Sequence, residues 1–297
     1  MLRLAPIALF AYQRLPELQR TVSALQKNTL ASESELFIFS DAPKNEAAED
    51  RVRSVRTYLR SIDGFHSVTI VEREKNLGLA SSVIDGVGSL VGSHGAVIVV
   101  EDDLETSPFF LSFLNRALTV YAKEERVISV HGYSYPTRSA MPETFFLRGA
   151  DCWGWGTWKR GWDLFEPDGA KLLREISEKN LSAAFDFDGT FPYTRMLKKQ
   201  IAGKNDSWAV RWYASAFLQN KLTLYPGRTL VKNISSDVFG THTGSLAEYH
   251  SEFAENDPVV GNMPVIESVP AREAFKDFFR RIHVPVWKRA ISLLHRK

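Results

Sequence analysis

Four times within its first hundred residues, the chain alternates a short apolar, β-branched run with a segment of helical spacing. The runs fall at residues 6–11, 35–40, 67–72 and 96–100. Between them, residues 15–27 place Leu15, Leu18, Val22 and Leu25 on one helical face, with Pro16 in a first turn that tolerates it. Residues 47–59 return to the same period, and a third helical segment follows Lys75-Asn76-Leu77-Gly78-Leu79-Ala80 and runs to about Val91. Strand alternating with helix in this way predicts a mostly parallel, doubly wound sheet flanked by helices. In such sheets ligands lie beyond the carboxyl ends of the strands. Each run here ends in polar or charged residues: Arg14, then Ser40 with Asp41, then Lys75 with Asn76, then Glu101-Asp102-Asp103.

The acidic triplet is the sharpest of these ends. Residues 96–100 read as a strand buried on both faces, and three adjacent carboxylates at its end repel one another and are costly to desolvate. A divalent cation would remove that cost, and oxygen ligands suit Mg²⁺ or Mn²⁺. The plainer alternative is a polar turn whose acids face water, with Ser107-Pro108 opening the next helix.

Composition narrows the class. The 297 residues suffice for one large α/β domain or two small ones, and an apolar fraction of 44% provides a real core. Lys and Arg number 37 against 35 Asp and Glu, so no basic footprint for nucleic acid exists. One cysteine, Cys152, excludes an internal disulfide and fits a reducing compartment, hence a cytoplasmic expectation. The apolar N-terminus reads as a first strand rather than a signal peptide, and no stretch approaches the roughly 20 apolar residues of a membrane span.

The succession of a first strand, Ser40-Asp41-Ala42-Pro43-Lys44-Asn45, Lys75-Asn76-Leu77-Gly78-Leu79-Ala80, and Val99 to Phe110 (VVEDDLETSPFF) resembles a GT-A glycosyltransferase domain. The nearest likeness is the N-acetylglucosaminyltransferase I type and its bacterial relatives. It covers residues 6–130 and is most specific at 99–110. The resemblance implies a Rossmann-like, nucleotide-diphospho-sugar transferase fold with an acceptor-side region towards the C-terminus. It implies that Asp103 contacts a Mn²⁺ or Mg²⁺ ion, that Asp102 faces the sugar or ribose, and that Glu101 supports them. By the same likeness Asp41 is placed like a residue that hydrogen-bonds uracil, and Arg14 like an arginine on the phosphates or base. On the residues alone, Asp41 also suits an Asx-turn before Pro43, and Arg14 a surface charge at a helix start. Asn76 and Gly78 let the backbone pass close to a nucleotide, or simply open the next helix.

Beyond the triplet, residues 109–123 predict an amphipathic helix and 127–130 a strand leading to His131. Cys152-Trp153-Gly154-Trp155-Gly156-Thr157-Trp158 alternates indoles with glycines, which suits either packing under a loop or a platform on which Trp153, Trp155, Trp158 and Trp208 stack against a sugar. Residues 169–204 read as helix, loop, helix; the turn Asp186-Phe187-Asp188-Gly189 lacks the further ligands of an EF-hand. Asn205-Asp206-Ser207-Trp208 opens a helix at 209–219, with Asp206 suited to N-capping it. The resembling family has an aspartate before a tryptophan here, the base that deprotonates an acceptor hydroxyl. This chain carries Asp-Ser-Trp where the family tends to Asp-Asp-Trp. Asp206 is the first choice for that base, with Asp151 and Asp163 as substitutes.

Residues 221–237 read as short strands leading to Gly240-Thr241-His242-Thr243-Gly244; GT-A enzymes often complete the metal or diphosphate site with a late histidine, which makes His242 a second ligand by resemblance. Arg228 and Lys232 suit the diphosphate or ordinary surface charge. The last residues, 271–297, are basic and aromatic, equally fit to lie on an anionic membrane surface, to dock back, or to dimerise.

The expected organisation is therefore a nucleotide-sugar-binding half at 1–130, an acceptor-binding and catalytic half at 131–257, and a tail at 258–297. The expected activity is metal-dependent, inverting transfer of a sugar from a UDP-sugar to a glycan or lipid-linked acceptor. A sugar-phosphate nucleotidyltransferase lacks its Gly-rich basic loop here. A non-catalytic carbohydrate-binding protein and a metal-dependent hydrolase are the remaining alternatives.

Overall fold

The computed structural model describes residues 4–235, 246–261 and 263–282. In chain order come β1 (Ile7–Ala11), α1 (Leu15–Gln26), β2 (Glu35–Ser40), α2 (Glu46–Leu59), β3 (Ser67–Glu72), α3 (Gly78–His94) and β4 (Ala96–Glu101). Next are β5 (Leu104–Thr106), α4 (Phe110–Val120), β6 (Val127–His131), β7 (Thr144–Arg148), β8 (Trp155–Trp158) and α5 (Lys159–Trp162). The chain continues through α6 (Gly169–Glu178), α7 (Ser182–Phe185), α8 (Tyr193–Ile201), α9 (Trp208–Leu218), β9 (Leu222–Pro226), β10 (Val231–Asn233) and α10 (Val269–Ile282).

Eight strands form one sheet in the order β3-β2-β1-β4-β8-β6-β9-β7, and β10 pairs with β5 in a small second sheet. The first four strands are mutually parallel, β6 and β9 run with them, and β8 and β7 run against them. The fold is thus α/β, a large and mainly parallel sheet flanked by helices. The alternation of buried side chains explains the central strands. Ile98 and Val100 of β4 pack with α1, α2 and α4 on one face, while Val97 and Val99 pack with α3 and α9 on the other. A run apolar at every position is what a strand covered on both sides requires. On the second face, α3 lies so close to the sheet that a β-carbon on Gly86 would stand 2.8 Å from the Phe10 ring.

A third apolar cluster, built from α6 to α10 with β7 and β9, gathers Phe145, Phe185, Tyr213, Phe275, Phe278 and Phe279. It accounts for the described part of the C-terminal tail. α10 lays Phe275, Phe278 and Phe279 against the domain, so that aromatic face is not available to a membrane; residues 283–297 lie outside the described residues. No helix among the described residues is long and apolar enough to cross a membrane.

The Trp-Gly segment is a strand rather than a loop. β8 slots between β4 and β6, antiparallel to both, with Trp155 opposite Val99 and His131. Its two outer indoles, three residues apart, point to opposite faces: Trp155 joins Trp162, Trp208 and Trp212, whereas Trp158 joins the α4 side. Trp155, Trp158 and Trp208 are therefore core residues and not a sugar platform. Each is at least nine-tenths buried, so no sugar face reaches them. Trp153 alone of the four stays partly exposed, edge-on to Tyr133 and Tyr249.

Candidate functional site

The carboxyl ends of the first strands are level. Ala11 of β1 lies beside Ser40 of β2, Ser40 beside Glu72 of β3, and Phe10 beside Glu101 of β4. The residues just past these positions consequently share one edge of the sheet, and the polar ends read from the sequence meet there.

At the centre is Arg14, the residue just before α1 and three past the end of β1. Its Nη2 donates to Asp102 Oδ1 at 2.6 Å and its Nη1 to Asp103 Oδ2 at 2.8 Å. Asp102 is fixed from its other side as well: the Tyr12 amide donates to its Oδ2 at 3.1 Å, and the Thr21 hydroxyl donates to its carbonyl at 3.0 Å. Both aspartates are buried, whereas about a quarter of the Arg14 side chain is exposed. Burial pushes the Glu101 carboxyl up, and the neighbouring Asp103 and Asp102 push it further. Burial likewise raises Asp102, against the pull of Arg14. Burial works against the Arg14 charge, but Asp102 and Asp103 more than restore it. Three acids crowd one guanidinium, so the cluster remains short of positive charge.

That deficit, with the oxygen donors present, suits a hard divalent ion. Asp103 is placed to carry it, since its Oδ1 accepts no hydrogen bond among the described residues. No set of three His, Cys, Asp or Glu side chains converges as a cage among the described residues, so the protein would furnish few of the ligands. His242 lies outside the described residues.

Asp41 and Asn76 stitch loops together. The Asp41 carboxylate accepts from the amides of Ala42 and Leu77 at Oδ1 and of Gly78 at Oδ2, all at 2.9 Å. It thereby satisfies two amides at the start of α3 that no helical carbonyl reaches. Asn76 Nδ2 donates to the Ala42 carbonyl at 2.7 Å. The Tyr12 hydroxyl accepts from the Lys44 amide at 3.0 Å, which lays this ring between the β1 and β2 ends. Nothing in local spacing singles out Tyr12, because its partner lies 32 residues away.

Gly78 opens α3 with a positive φ of 74°. A β-carbon there would stand 3.8 Å from Asp206 Oδ2, so a carboxylate from the second half of the chain comes up against the first. Asp206 is not the cap of α9. Ser207 is, its hydroxyl accepting from the Val210 amide at 3.2 Å. That leaves Asp206 68% exposed, with Arg211 Nη2 at 3.7 Å from its Oδ1.

Asp151 also belongs to this side of the sheet. Its Oδ1 accepts from the Cys152 amide at 2.9 Å, its Oδ2 takes the Tyr135 hydroxyl at 3.3 Å, and His131 Nε2 is 4.0 Å away. His131 is fully buried and pushed down by that burial; its Nε2 accepts from the Trp153 amide, which keeps it neutral. Asp163 does not join them. β8 runs away from the site, Lys159 donates its amide to Gly95 at the opposite end of β4, and Asp163 pairs with Lys159 there. Arg228 and Lys232 pair with Glu255 and Glu252.

No protein-family model and no curated protein matches the chain. Solved structures match parts of the chain at low identity and low score. A mannosyltransferase, PcManGT from Pyrobaculum calidifontis in complex with GDP-Man and Mn²⁺, is 14% identical over 44% of this chain and 36% of its own, with a TM-score of 0.33. Residues 1–349 of S. aureus TarS give 12% identity over 59% and 49%, with a TM-score of 0.34, and the same portion in complex with UDP-GlcNAc gives 15% over 48% and 39%, with 0.33. The chain spans less than half the length of each of these neighbours. At such scores the likeness carries no argument, and the site has to be judged on its own residues.

Proposed function

We propose that the chain is a metal-dependent glycosyltransferase that moves a sugar from a nucleotide sugar, with a UDP-sugar as the favoured donor, to a hydroxyl of a glycan or lipid-linked acceptor. The reading is carried by one observation: the acids at the end of β4, bound to Arg14, and the exposed Asp206 ahead of α9, which lies against Gly78 at the start of α3, both lie along the edge of the sheet where the first strands end. Donor and acceptor chemistry each need a carboxylate of that kind, and the two need opposite environments.

In this reading residues 1–130 hold the donor and 131–257 the acceptor. Asp103 would hold a Mn²⁺ or Mg²⁺ ion, which supplies positive charge to a leaving diphosphate without proton transfer. Asp102, fixed by Tyr12 and Arg14, faces the sugar or ribose, and Glu101 supports both. Asp41 and Asn76 hold the loops that border the base, with Gly78 giving it room. Asp206 accepts the proton of the acceptor hydroxyl. Its exposure leaves it open to an incoming substrate, which suits an inverting single displacement. Trp153 remains as the aromatic contact for a sugar. The buried Trp155, Trp158 and Trp208 weaken the case for a non-catalytic sugar-binding protein, since its platform is gone.

Calorimetric titration of UDP, GDP and CDP, each with Mn²⁺ and with EDTA, tests the reading. One nucleotide is expected to bind selectively, with Mn²⁺ only, and to lose that binding in Asp103→Ala. Absence of nucleotide binding in both conditions overturns it. Nucleotide-sugar turnover to free sugar with no acceptor preference points instead to a hydrolase.

A further inference from the structure

We propose that Arg14 is a displaceable stand-in for the divalent cation, an inference that rests on the transferase reading above. It holds Asp102 and Asp103 together while no donor is bound and releases them when cation and diphosphate arrive.

The asymmetry of the anchoring supports this. The Arg14 guanidinium spans two adjacent carboxylates, one nitrogen to each, at 2.6 and 2.8 Å. Among the described residues, those are its side-chain hydrogen bonds. Asp102 by contrast stays tied through the Tyr12 amide and the Thr21 hydroxyl whether or not Arg14 is present. Asp103 stays tied through its carbonyl, which accepts from the Ile234 amide at 2.8 Å. The Asp102 carboxylate keeps the Tyr12 amide as a second partner, whereas the guanidinium has no hydrogen-bond partner beyond the two acids among the described residues, so the arginine side chain is the partner that can leave. It also has a way out, since its side chain is 27% exposed against 4% for Asp102 and 10% for Asp103.

Two cations cannot share these carboxylates at close range without repelling one another. Binding of a divalent ion at Asp103 therefore works against the guanidinium, and a diphosphate gives the displaced guanidinium a new anionic partner. Cation and nucleotide should consequently bind with positive coupling, each making the other's entry easier. The arrangement also keeps buried like charges compensated before the donor arrives. Arg14 is thus a positioning residue for the cation site that becomes a ligand for the donor.

The test measures Mn²⁺ binding by electron paramagnetic resonance, with and without UDP, in the full chain and in Arg14→Met and Arg14→Lys. The unaltered protein is expected to bind Mn²⁺ weakly alone and on the order of tenfold more tightly with UDP. Arg14→Met is expected to bind Mn²⁺ alone more tightly than the unaltered protein, with the coupling to UDP reduced. Arg14→Lys, which keeps the charge but not the fork, should fall between them. A side chain with a merely structural role would weaken Mn²⁺ binding on removal, the opposite sign. Independently of any variant, the guanidinium ¹⁵N–¹H signals of Arg14 in the unaltered protein should shift on adding Mg²⁺ with UDP. Normal Mn²⁺-dependent UDP binding with no tightening in Arg14→Met and no shift of the Arg14 signals overturns the stand-in role and leaves the transferase reading intact. Failure of the unaltered protein to bind Mn²⁺ or UDP overturns both.

Discussion

The two halves of the sheet solve the same problem differently. From β3 to β4 the strands are parallel, level at their carboxyl ends, and their polar residues are bound to one another: Arg14 to Asp102 and Asp103, Asp41 to the amides of α3. From β8 to β7 the strands are mixed in direction, aromatic rings fill the faces, and the acids come from loops with few partners. Asp206 is 68% exposed while Asp102 is nearly sealed. The edge assembled this way is tightly hydrogen-bonded at its first strands and open to solvent at Asp206. The comparison also separates acids that look alike in the sequence, because Asp102 is closed in by its partners whereas Asp206 faces solvent.

The largest effect is expected where an apparent binding residue is really core. Trp155→Ala removes an indole packed against three others and should cost about 3–5 kcal/mol of stability, read from urea denaturation. A stable Trp155→Ala protein that has lost only sugar binding would reverse the assignment. Next comes Asp41→Ala, which strips three backbone amides of their acceptor and should cost about 1–3 kcal/mol. The loss should also disorder the start of α3, visible as faster hydrogen exchange at Leu77 and Gly78. An Asp41→Ala chain of unchanged stability but altered base preference would make Asp41 a nucleotide contact first. The smallest shifts in stability lie at the start of α9, and they are the most discriminating. Ser207→Ala should lose about 1 kcal/mol with its cap. Asp206→Asn should stay within about 0.5 kcal/mol of the unaltered protein, yet slow transfer by roughly 10²–10⁴-fold. Equal stability losses at the two positions, with transfer intact in Asp206→Asn, would make Asp206 part of the helix start and move the base to Asp151.

Much of the first half was legible because its information is local. The strands at 35–40 and 67–72 coincide with β2 and β3, and the helix predicted at 15–27 ends one residue early, at Gln26. β1 and the interior of β4 are apolar at every position because both faces are covered, and that pattern reads directly. β8 escaped because Trp-Gly-Thr-Trp offers no such run: Gly156 contributes no side chain, and its close approach to Val97 and Leu118 is set by strands distant in sequence. The partners of Asp41 lie 36 and 37 residues on, and those of Arg14 88 and 89, so composition at either end cannot reveal them. The cap of α9 was misplaced by one residue, since Asp206 and Ser207 are both good capping types and only geometry chooses. For the tail, periodicity disclosed an amphipathic helix but not what covers it, and α10 turned out to be covered by the protein's own aromatic cluster.

The insertion of β8 beside β4 has a further consequence for how the protein is made. β4 gains its second neighbour only from residues 155–158, and the strand that follows it, β5, gains its partner only at Val231–Asn233. While the ribosome is still delivering that stretch, the apolar strand β4 has an open edge, ready to pair with another chain. Residues 1–130 are therefore a poor independent folding unit. The acidic end of β4 therefore gains its final surroundings only after residues 155–158 and 231–233 have been delivered.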